Sequence, residues 1–258
     1  LALRLSLSES AALFLSFFGS LWFAVHPMHV ESVAWISERK DVLYAAFYIS
    51  GLITYLRYLD DQSKKWLWII YALFVLSCLS KPMAVTFPLA LLALDFLMKG
   101  RIALPDVRSK TLFLLTSFAF GAAAFYTQHR TGAVASFGVL SISERIMYAG
   151  YGFVMYVAKF FVPVGLSTFY PYPYRFIDGS LPMIYYLAPF LSVLFVVLPV
   201  VVLVRLKSRY VRIVVFGLVF FVVNLVLVLQ FISVGSAIMA DRYSYVAYIG
   251  LLFTVFYI

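Results

Sequence analysis

Long apolar runs separated by short polar junctions dominate the pattern along this chain. The stretches from Met183 to Val204 and from Ile213 to Ala240 contain no charged residue. A helix needs about 20 apolar residues to cross the roughly 30 Å hydrocarbon core of a bilayer. The pattern therefore predicts a polytopic transmembrane helix bundle of the all-α class. We expect its spans near residues 10–26, 42–58, 66–80, 82–98, 111–128, 183–204, 213–232 and 244–258.

Composition supports this prediction, because 64% of the residues are hydrophobic and only 12% are charged, whereas soluble domains carry about 25% charged residues. The net charge of +9 would suggest nucleic acid in a soluble protein. Here the basic residues concentrate in three junctions, which are Arg57–Lys65, Lys99–Lys110 and Arg205–Arg212. Since Lys and Arg accumulate in cytoplasmic loops, we assign these junctions to the cytoplasm. We expect the lipid bilayer, and no nucleic acid, as the partner of this surface.

A ninth apolar stretch, residues 144–164, is interrupted by Arg145 and Lys159. If it crossed the membrane, the third basic junction would lie outside. We therefore predict that it lies in the interface or re-enters without crossing. Five polar motifs then share the non-cytoplasmic face, namely "HPMHVESVAWISERKD" at 26–41, "SKP" at 80–82, "QHR" at 128–130, "FYPYPYRF" at 169–176 and "MADRYSY" at 239–245. Because the chain begins without methionine and stops inside an apolar run, we expect a single membrane domain, residues 1–258, truncated at both ends.

The first of these motifs is "HPMHVESVAWISERKD", residues 26–41. Pro27 suits the first position of a helix, where its missing N–H is no loss. The pattern predicts that this helix continues to Leu59. Its 4- and 3-residue steps then place Glu31, Trp35 and Glu38 on one face, at the start of a span.

Histidine and glutamate side chains in this motif are also of the types that bind metals. The spacing of His26, His29 and Glu31 matches no strong zinc signature, and a third firm ligand is lacking. Helix capping, hydrogen bonding to a substrate and metal binding all stay open, so the cofactor is unknown, although a divalent metal is possible.

The run Glu38-Arg39-Lys40-Asp41 has two interpretations. It is typical of a solvated helix end whose charges neutralise one another. Alternatively, Arg39 or Lys40 binds a phosphate group. The planar guanidinium of arginine is well suited to this because it can donate two parallel hydrogen bonds.

Two further motifs carry candidate binding residues. "FYPYPYRF", residues 169–176, predicts a stiff extended loop. Its aromatic side chains form either an interfacial belt or an apolar platform for a sugar ring or a polyprenyl chain, with Arg175 beside it. "MADRYSY", residues 239–245, contains Asp241 and Arg242, which could simply neutralise each other. Asp95 is interpreted as an intrahelical partner of Lys99, four residues later.

"HPMHVESVAWISERKDVL", "LSKPMAVTFPLALLALDF", "FYPYPY" and "MADRYSYVAYIG" occur in this order along the chain. Together they resemble the transmembrane O-mannosyltransferase family with tetratricopeptide-repeat tails, most closely its bacterial relatives. The resemblance covers most of the chain and is most specific in the first motif.

This resemblance implies a GT-C glycosyltransferase, an integral membrane enzyme. It would move a mannose-like sugar from a polyprenyl-phosphate donor to a protein or glycan hydroxyl outside the cytoplasm. The candidate catalytic group is Glu31, with His26 and His29 beside it. The candidate substrate-binding residues are Arg39, Asp41, Lys81, Tyr170, Tyr172, Arg175, Asp241 and Arg242. Of these, the candidates for stabilising the leaving phosphate are Arg39, Lys81 and Arg242.

The resemblance also places the acidic catalytic motif of the family in a loop before residue 1, and its repeats after residue 258. It implies the bacterial inner membrane, or the endoplasmic reticulum membrane in a eukaryote. Two alternatives stay open: a transporter or flippase of a lipid-linked sugar, with charges inside the membrane, and a non-catalytic anchor for a repeat scaffold. The sequence shows no P-loop, Rossmann glycine pattern or nucleophile elbow.

Overall fold

The computed structural model describes residues 8–130, 140–175, 177, 179–231 and 237–257, and most of these residues are helical. The α-helices are α1 Glu9–Val25, α2 Val30–Ala34, α3 Arg39–Asp61, α4 Lys64–Ser80, α5 Phe87–Lys99, α6 Leu104–Arg108, α7 Thr111–Arg130, α8 Ile142–Phe161, α9 Met183–Arg205, α10 Val211–Leu225 and α11 Ser244–Tyr257. Short 3₁₀ helices cover Pro27–His29, Ile36–Glu38, Pro82–Thr86 and Asp241–Tyr243. Two short strands are β1 Tyr170–Pro171 and β2 Ala237–Met239.

Four helical segments of the described chain are long and apolar enough to cross a membrane, namely Ile36–Asp61, Pro82–Lys99, Thr111–Arg130 and Met183–Arg205. A fifth results if α1 and the segment Pro27–Ala34, bent by 55° against it, form one span. The chain is therefore an integral membrane protein with a helical fold. Fewer helices reach full spanning length than the eight expected, because α4, α10 and α11 have 17, 15 and 14 residues.

The predicted span 213–232 was too long, because α10 ends at Leu225. The chain then turns, and the amide of Gln230 donates to the carbonyl oxygens of Ala237 and Ile238, both at 3.1 Å. The buried amide group of Gln230 needs two hydrogen-bond acceptors. This turn supplies them, whereas a lipid-facing helix would leave the amide in contact with lipid. Residues 232 and 258, the ends of two predicted spans, lie outside the described residues.

Two hydrophobic clusters form the core. One joins α8, α10 and α11, and the other joins α3, α4 and α5. Helix α10 contributes to both clusters and so lies at the centre of the bundle. Between them, the hydroxyl of Thr86 donates to Asn224 at 3.0 Å and lies 3.1 Å from the hydroxyl of Tyr48.

The three basic junctions lie at one end of this bundle. Near the carboxyl end of α3, the Tyr55 hydroxyl donates to Asp95 of α5 at 2.8 Å. Asp95 pairs with Lys99 at 3.2 Å, as predicted, and also with Lys110 at the start of α7. Gly100 packs against Arg212, where α10 begins. This arrangement agrees with a common cytoplasmic side for the junctions.

Helix α8 contacts the connection between α10 and α11 at both of its ends. Near its amino end, Arg145 Nη1 donates to the carbonyl oxygen of Phe231 at 3.0 Å. Near its carboxyl end, the Tyr156 hydroxyl donates to the carbonyl oxygen of Ala240 at 2.9 Å. These two contacts attach α8 to the α10–α11 connection, and the expectation that 144–164 does not cross stays a prediction.

The predicted continuous helix from Pro27 to Leu59 was wrong, because the chain is extended at Trp35, with φ −83° and ψ 113°. The break folds α2 back, so that the hydroxyl of Ser32 donates to Asp41 at 3.2 Å. In an unbroken helix these residues would lie about 13 Å apart along the axis. The buried hydrogen bond therefore requires the break.

Strands were missed in the all-α prediction. Tyr170 and Pro171 of the predicted extended loop pair in antiparallel fashion with Met239 and Ala237. Proline occurs at sheet edges, and this pairing fixes "FYPYPY" beside "MADRYSY".

Candidate functional site

A cavity of about 400 Å³ lies between segments that are distant in the sequence. Its walls come from the 3₁₀ helix before α3, the first turn of α3, the α4–α5 junction, α7 and the α10–α11 connection. The charged and amide side chains that line it are Glu38, Lys40, Lys81, Gln128, Gln230 and Arg242. The structure thus brings together at one cavity four of the five polar motifs that were predicted to share a face.

The polar wall is built around Arg242, which lies in the 3₁₀ helix before α11. Glu31 pairs with the Arg242 guanidinium through one oxygen and accepts from the Arg242 backbone N–H at 2.9 Å through the other. The Nε atom of Arg242 lies 3.5 Å from Glu38. The guanidinium carbon lies 5.6 Å from the ring centre of Trp35 and 4.9 Å from that of Tyr243. Arg242 is thus held by two carboxylates and two aromatic rings.

Lys81 forms the second buried ion pair of this wall, with Asp41 of α3. The second oxygen of Asp41 accepts from Ser32, so both carboxylate oxygens are satisfied. Burial lowers the pKa of Lys81, and the neighbouring charge of Asp41 opposes that shift. The Lys81 ammonium also lies 5.7 Å from the ring centre of Tyr243, which joins the two ion pairs into one network.

Lys40, not Arg39, is the exposed cation that lines the cavity. Its side chain is 48% exposed, lines the cavity and lies 3.4 Å from Glu38. Arg39 is exposed outside the lining, and its Nε donates to the carbonyl oxygen of Ile36 at 3.1 Å. The preference of the sequence analysis for Arg39 as a phosphate ligand is therefore not supported, because α3 turns Arg39 away. The solvated-end interpretation also fails, since Glu38 and Asp41 are buried.

The apolar part of the cavity lining comes largely from α7. Gly121, Ala124, Phe125 and Gln128 follow the i, i+3, i+4, i+7 spacing of one helical face. A Cβ atom on Gly121 would have no heavy atom within 4 Å, so this part of the wall is open. The apolar side chains that complete it are Met83, Val85, Leu227 and Val228.

The tyrosines of "FYPYPY" support the cavity from behind. The Tyr170 hydroxyl donates to Asp241 at 2.7 Å, and the Tyr172 hydroxyl donates to Gln230 at 2.6 Å. Asp241 and Arg242 therefore have separate partners and do not neutralise each other. Burial raises the pKa of Asp241, against the lowering effect of the Tyr170 hydrogen bond and of Lys159. Neither tyrosine is part of the cavity lining.

Arg175 lies outside this arrangement. It pairs with Glu144 of α8 and donates to the carbonyl oxygen of Gly179 at 3.2 Å. Both side chains are outside the cavity lining. The structure therefore gives Arg175 a role in holding the loop after α8, in place of the predicted contact with a substrate.

The two histidines are buried among aromatic rings behind the cavity. Nδ1 of His26 accepts from the backbone N–H of Met28 at 3.3 Å, so its Nε2–H donates to the carbonyl oxygen of Phe160 at 3.0 Å. Nδ1 of His29 lies 2.7 Å from the carbonyl oxygen of Phe23 and must donate to it. These bonds favour a structural role. Within the described residues, no group of three or more His, Cys, Asp or Glu side chains could hold a metal ion.

Sequence reasoning missed the wall formed by α7 and the part played by Gln230. The signal for α7 was available in the helical spacing from Gly121 to Gln128, whereas Gln230 was hidden inside a predicted span.

No family model, curated protein or solved structure matches this chain.

Proposed function

We propose that this chain is the membrane domain of a glycosyltransferase. It moves a sugar from a polyprenyl-phosphate donor to a hydroxyl group of a protein or glycan on the non-cytoplasmic side. The observation that carries the proposal is the mixed lining of the cavity, which combines cationic, carboxylate and amide side chains with apolar ones. A lipid-linked sugar phosphate likewise combines a polar head and an apolar tail.

The cations of the polar wall suit the phosphate. Arg242 has five N–H donors in a planar fork that matches phosphate oxygens, and Lys40 is exposed enough to move toward them. The α7 wall, with its open position at Gly121, would accept the first part of the polyprenyl chain.

In the proposed reaction, the acceptor hydroxyl oxygen attacks the anomeric carbon of the sugar. The new glycosidic bond forms as the bond from that carbon to the phosphate oxygen breaks, and the lipid phosphate leaves with the electron pair. The hydroxyl proton passes to a carboxylate base. Cations beside the phosphate stabilise the charge that develops on it, and this is the role of Lys40 and of Arg242, which Glu31 holds in place.

Glu31 has a different role in this proposal from the catalytic one expected at first. Both of its oxygens are engaged by Arg242, so they are not free to bind a sugar hydroxyl. We assign Glu31 as a positioning residue, which holds the guanidinium at the cavity wall. The neighbouring ion pair between Lys81 and Asp41 holds the start of α3, and the Lys81 ammonium lies near the ring of Tyr243.

The direct test is a transfer assay with the full-length protein in lipid nanodiscs. It uses polyprenyl-phosphate mannose as donor and a serine-containing peptide as acceptor, with the product mass as readout. Arg242→Lys keeps the charge but removes the planar fork, and we expect transfer to fall roughly 10-fold or more. Arg209→Lys, at the opposite end of the bundle, is the matched control and should transfer normally.

The alternatives give different outcomes in the same preparation. A folded protein that transfers no sugar, but moves a labelled lipid-linked sugar across vesicles, would be a carrier. A folded protein that does neither and binds no polyprenyl phosphate would be a membrane anchor. Either result would contradict the proposed transferase.

A further inference from the structure

Glu38 lines the cavity, and one of its carboxylate oxygens has no hydrogen-bond partner among the described residues. Its residue is only 4% exposed, and it lines the cavity. One oxygen, Oε1, lies 3.4 Å from Lys40 Nζ and 3.5 Å from Arg242 Nε, beyond the 2.7–2.9 Å of strong charge-assisted hydrogen bonds. The other, Oε2, is buried and has no hydrogen-bond partner among the described residues.

The other two acids of this wall are fully engaged. Glu31 bonds to Arg242 through both oxygens. Asp41 is satisfied by Lys81 and Ser32. A buried carboxylate oxygen without a hydrogen-bond donor is costly. We therefore expect a ligand to donate a hydrogen bond to this oxygen of Glu38.

We propose that Glu38 recognises the sugar of the lipid-linked donor, by accepting a hydrogen bond from a ring hydroxyl at Oε2. The class of ligand rests on the proposed function. A carboxylate oxygen binds donors such as sugar hydroxyls, and it repels the oxygens of a phosphate. Lys40 and Arg242 lie within 3.5 Å of Glu38 Oε1, so a phosphate held by these two cations would bring its attached sugar close to the Glu38 carboxylate.

In this arrangement, separate groups of the site bind the phosphate and the sugar of one lipid-linked donor. The cations bind the phosphate whether or not a sugar is attached, whereas Glu38 stabilises only the sugar-bearing lipid. Glu38 therefore allows the protein to release the bare lipid phosphate after transfer, while it retains a preference for the loaded donor.

The test compares two lipids on the full-length protein in nanodiscs: polyprenyl-phosphate mannose and the same polyprenyl phosphate without sugar. The measured quantity is the ratio of the two dissociation constants. We expect Glu38→Gln to reduce the preference for the sugar-bearing lipid by about 10-fold, the loss typical of one hydrogen bond to a charged group. The affinity for bare lipid phosphate should stay unchanged or rise, since a negative charge is removed. Glu9→Gln, an exposed glutamate at the start of α1, is the matched control.

Two results would overturn the inference while the proposed function stands. If Glu38→Gln weakens both lipids equally, Glu38 only positions the cations. If it changes neither, the open oxygen does not meet the sugar. A wild-type protein that binds neither lipid would instead contradict the proposed function itself, and the inference with it. If Glu38→Gln does not fold, Glu38→Asp keeps the charge but withdraws the oxygen, and it should show the same loss of preference.

Discussion

At the scale of single residues, neighbouring side chains at the start of α3 lie in different environments. Asp41 is completely buried against Lys81, Lys40 lines the cavity, and Arg39 lies outside it. Each residue of a helix is rotated by about 100° from the one before. Arg39 and Lys40 therefore leave the helix in different directions, and their contributions can be separated by mutation.

Lys40→Ala should weaken the binding of polyprenyl phosphate by about 1–2 kcal/mol, roughly 5- to 30-fold in Kd. The estimate reflects a contact between charges, reduced because the lysine is half exposed. Arg39→Ala should leave binding within twofold, since Arg39 lies outside the cavity lining and its Nε donates to the carbonyl oxygen of Ile36. Titration of both variants in nanodiscs measures the difference, and a larger effect from Arg39→Ala would contradict this placement.

A second comparison of lysines concerns Asp95, whose side chain is fully buried at the basic end of the bundle. Its partners Lys110 and Lys99 have side chains that are 3% and 41% exposed. Lys110→Ala leaves a buried charge with a weaker partner and should cost about 3–5 kcal/mol of unfolding free energy. Lys99→Ala should cost about 0–1 kcal/mol.

Unfolding of both lysine variants in mixed micelles of detergent and denaturant measures these costs. The double variant Asp95→Leu, Lys110→Met should recover much of the loss, because it removes both buried charges. Equal effects from the two single lysine variants would contradict the assignment of Lys110 as the main partner.

At the scale of helices, apolar periodicity predicted where the long helices lie but not where they break. The predictions at 111–128 and 183–204 match α7 and α9 closely, because a lipid-facing helix is specified by its own residues. The break at Trp35 brings Ser32 and Asp41 together across it. The β1–β2 pair joins segments about 70 residues apart. Local patterns carry no information on such pairings.

Helices α10 and α11 approach each other closely where two glycines meet. A Cβ atom on Gly250 would overlap the carbonyl oxygen of Gly217 and lie 2.7 Å from the backbone nitrogen of Phe221. Gly250→Ala should therefore force the helices apart and cost about 1–3 kcal/mol of stability. Gly121→Ala is the matched control, since its Cβ atom would meet open space. It should be neutral, or stabilising by about 0.5–1 kcal/mol. Thermal unfolding in detergent compares the two.

At the scale of the whole molecule, the basic junctions lie at one end and the cavity lies at the other. The positive-inside rule and the helix order were enough to predict that the polar motifs would gather. They could not predict the partners, because Glu31 and Arg242 are 211 positions apart. Arg39, Arg175 and the two histidines were selected by residue type, whereas Glu38, which the sequence placed on one face with Glu31, received a role only from the cavity geometry.

Whether α8 crosses the membrane decides whether the basic end of the molecule is cytoplasmic and the cavity end is not. In a Cys78→Ala background, which removes the buried native thiol, Ser143→Cys and Ser167→Cys place exposed thiols before and after the middle of α8. If α8 returns to the side where it began, an impermeant maleimide should label both from outside intact cells. Ser109→Cys, in the basic junction, should react only after permeabilisation. Labelling of just one α8 site would show that the helix crosses. The third basic junction and the cavity would then lie on the same side, and the proposed non-cytoplasmic reaction would lose its topological support.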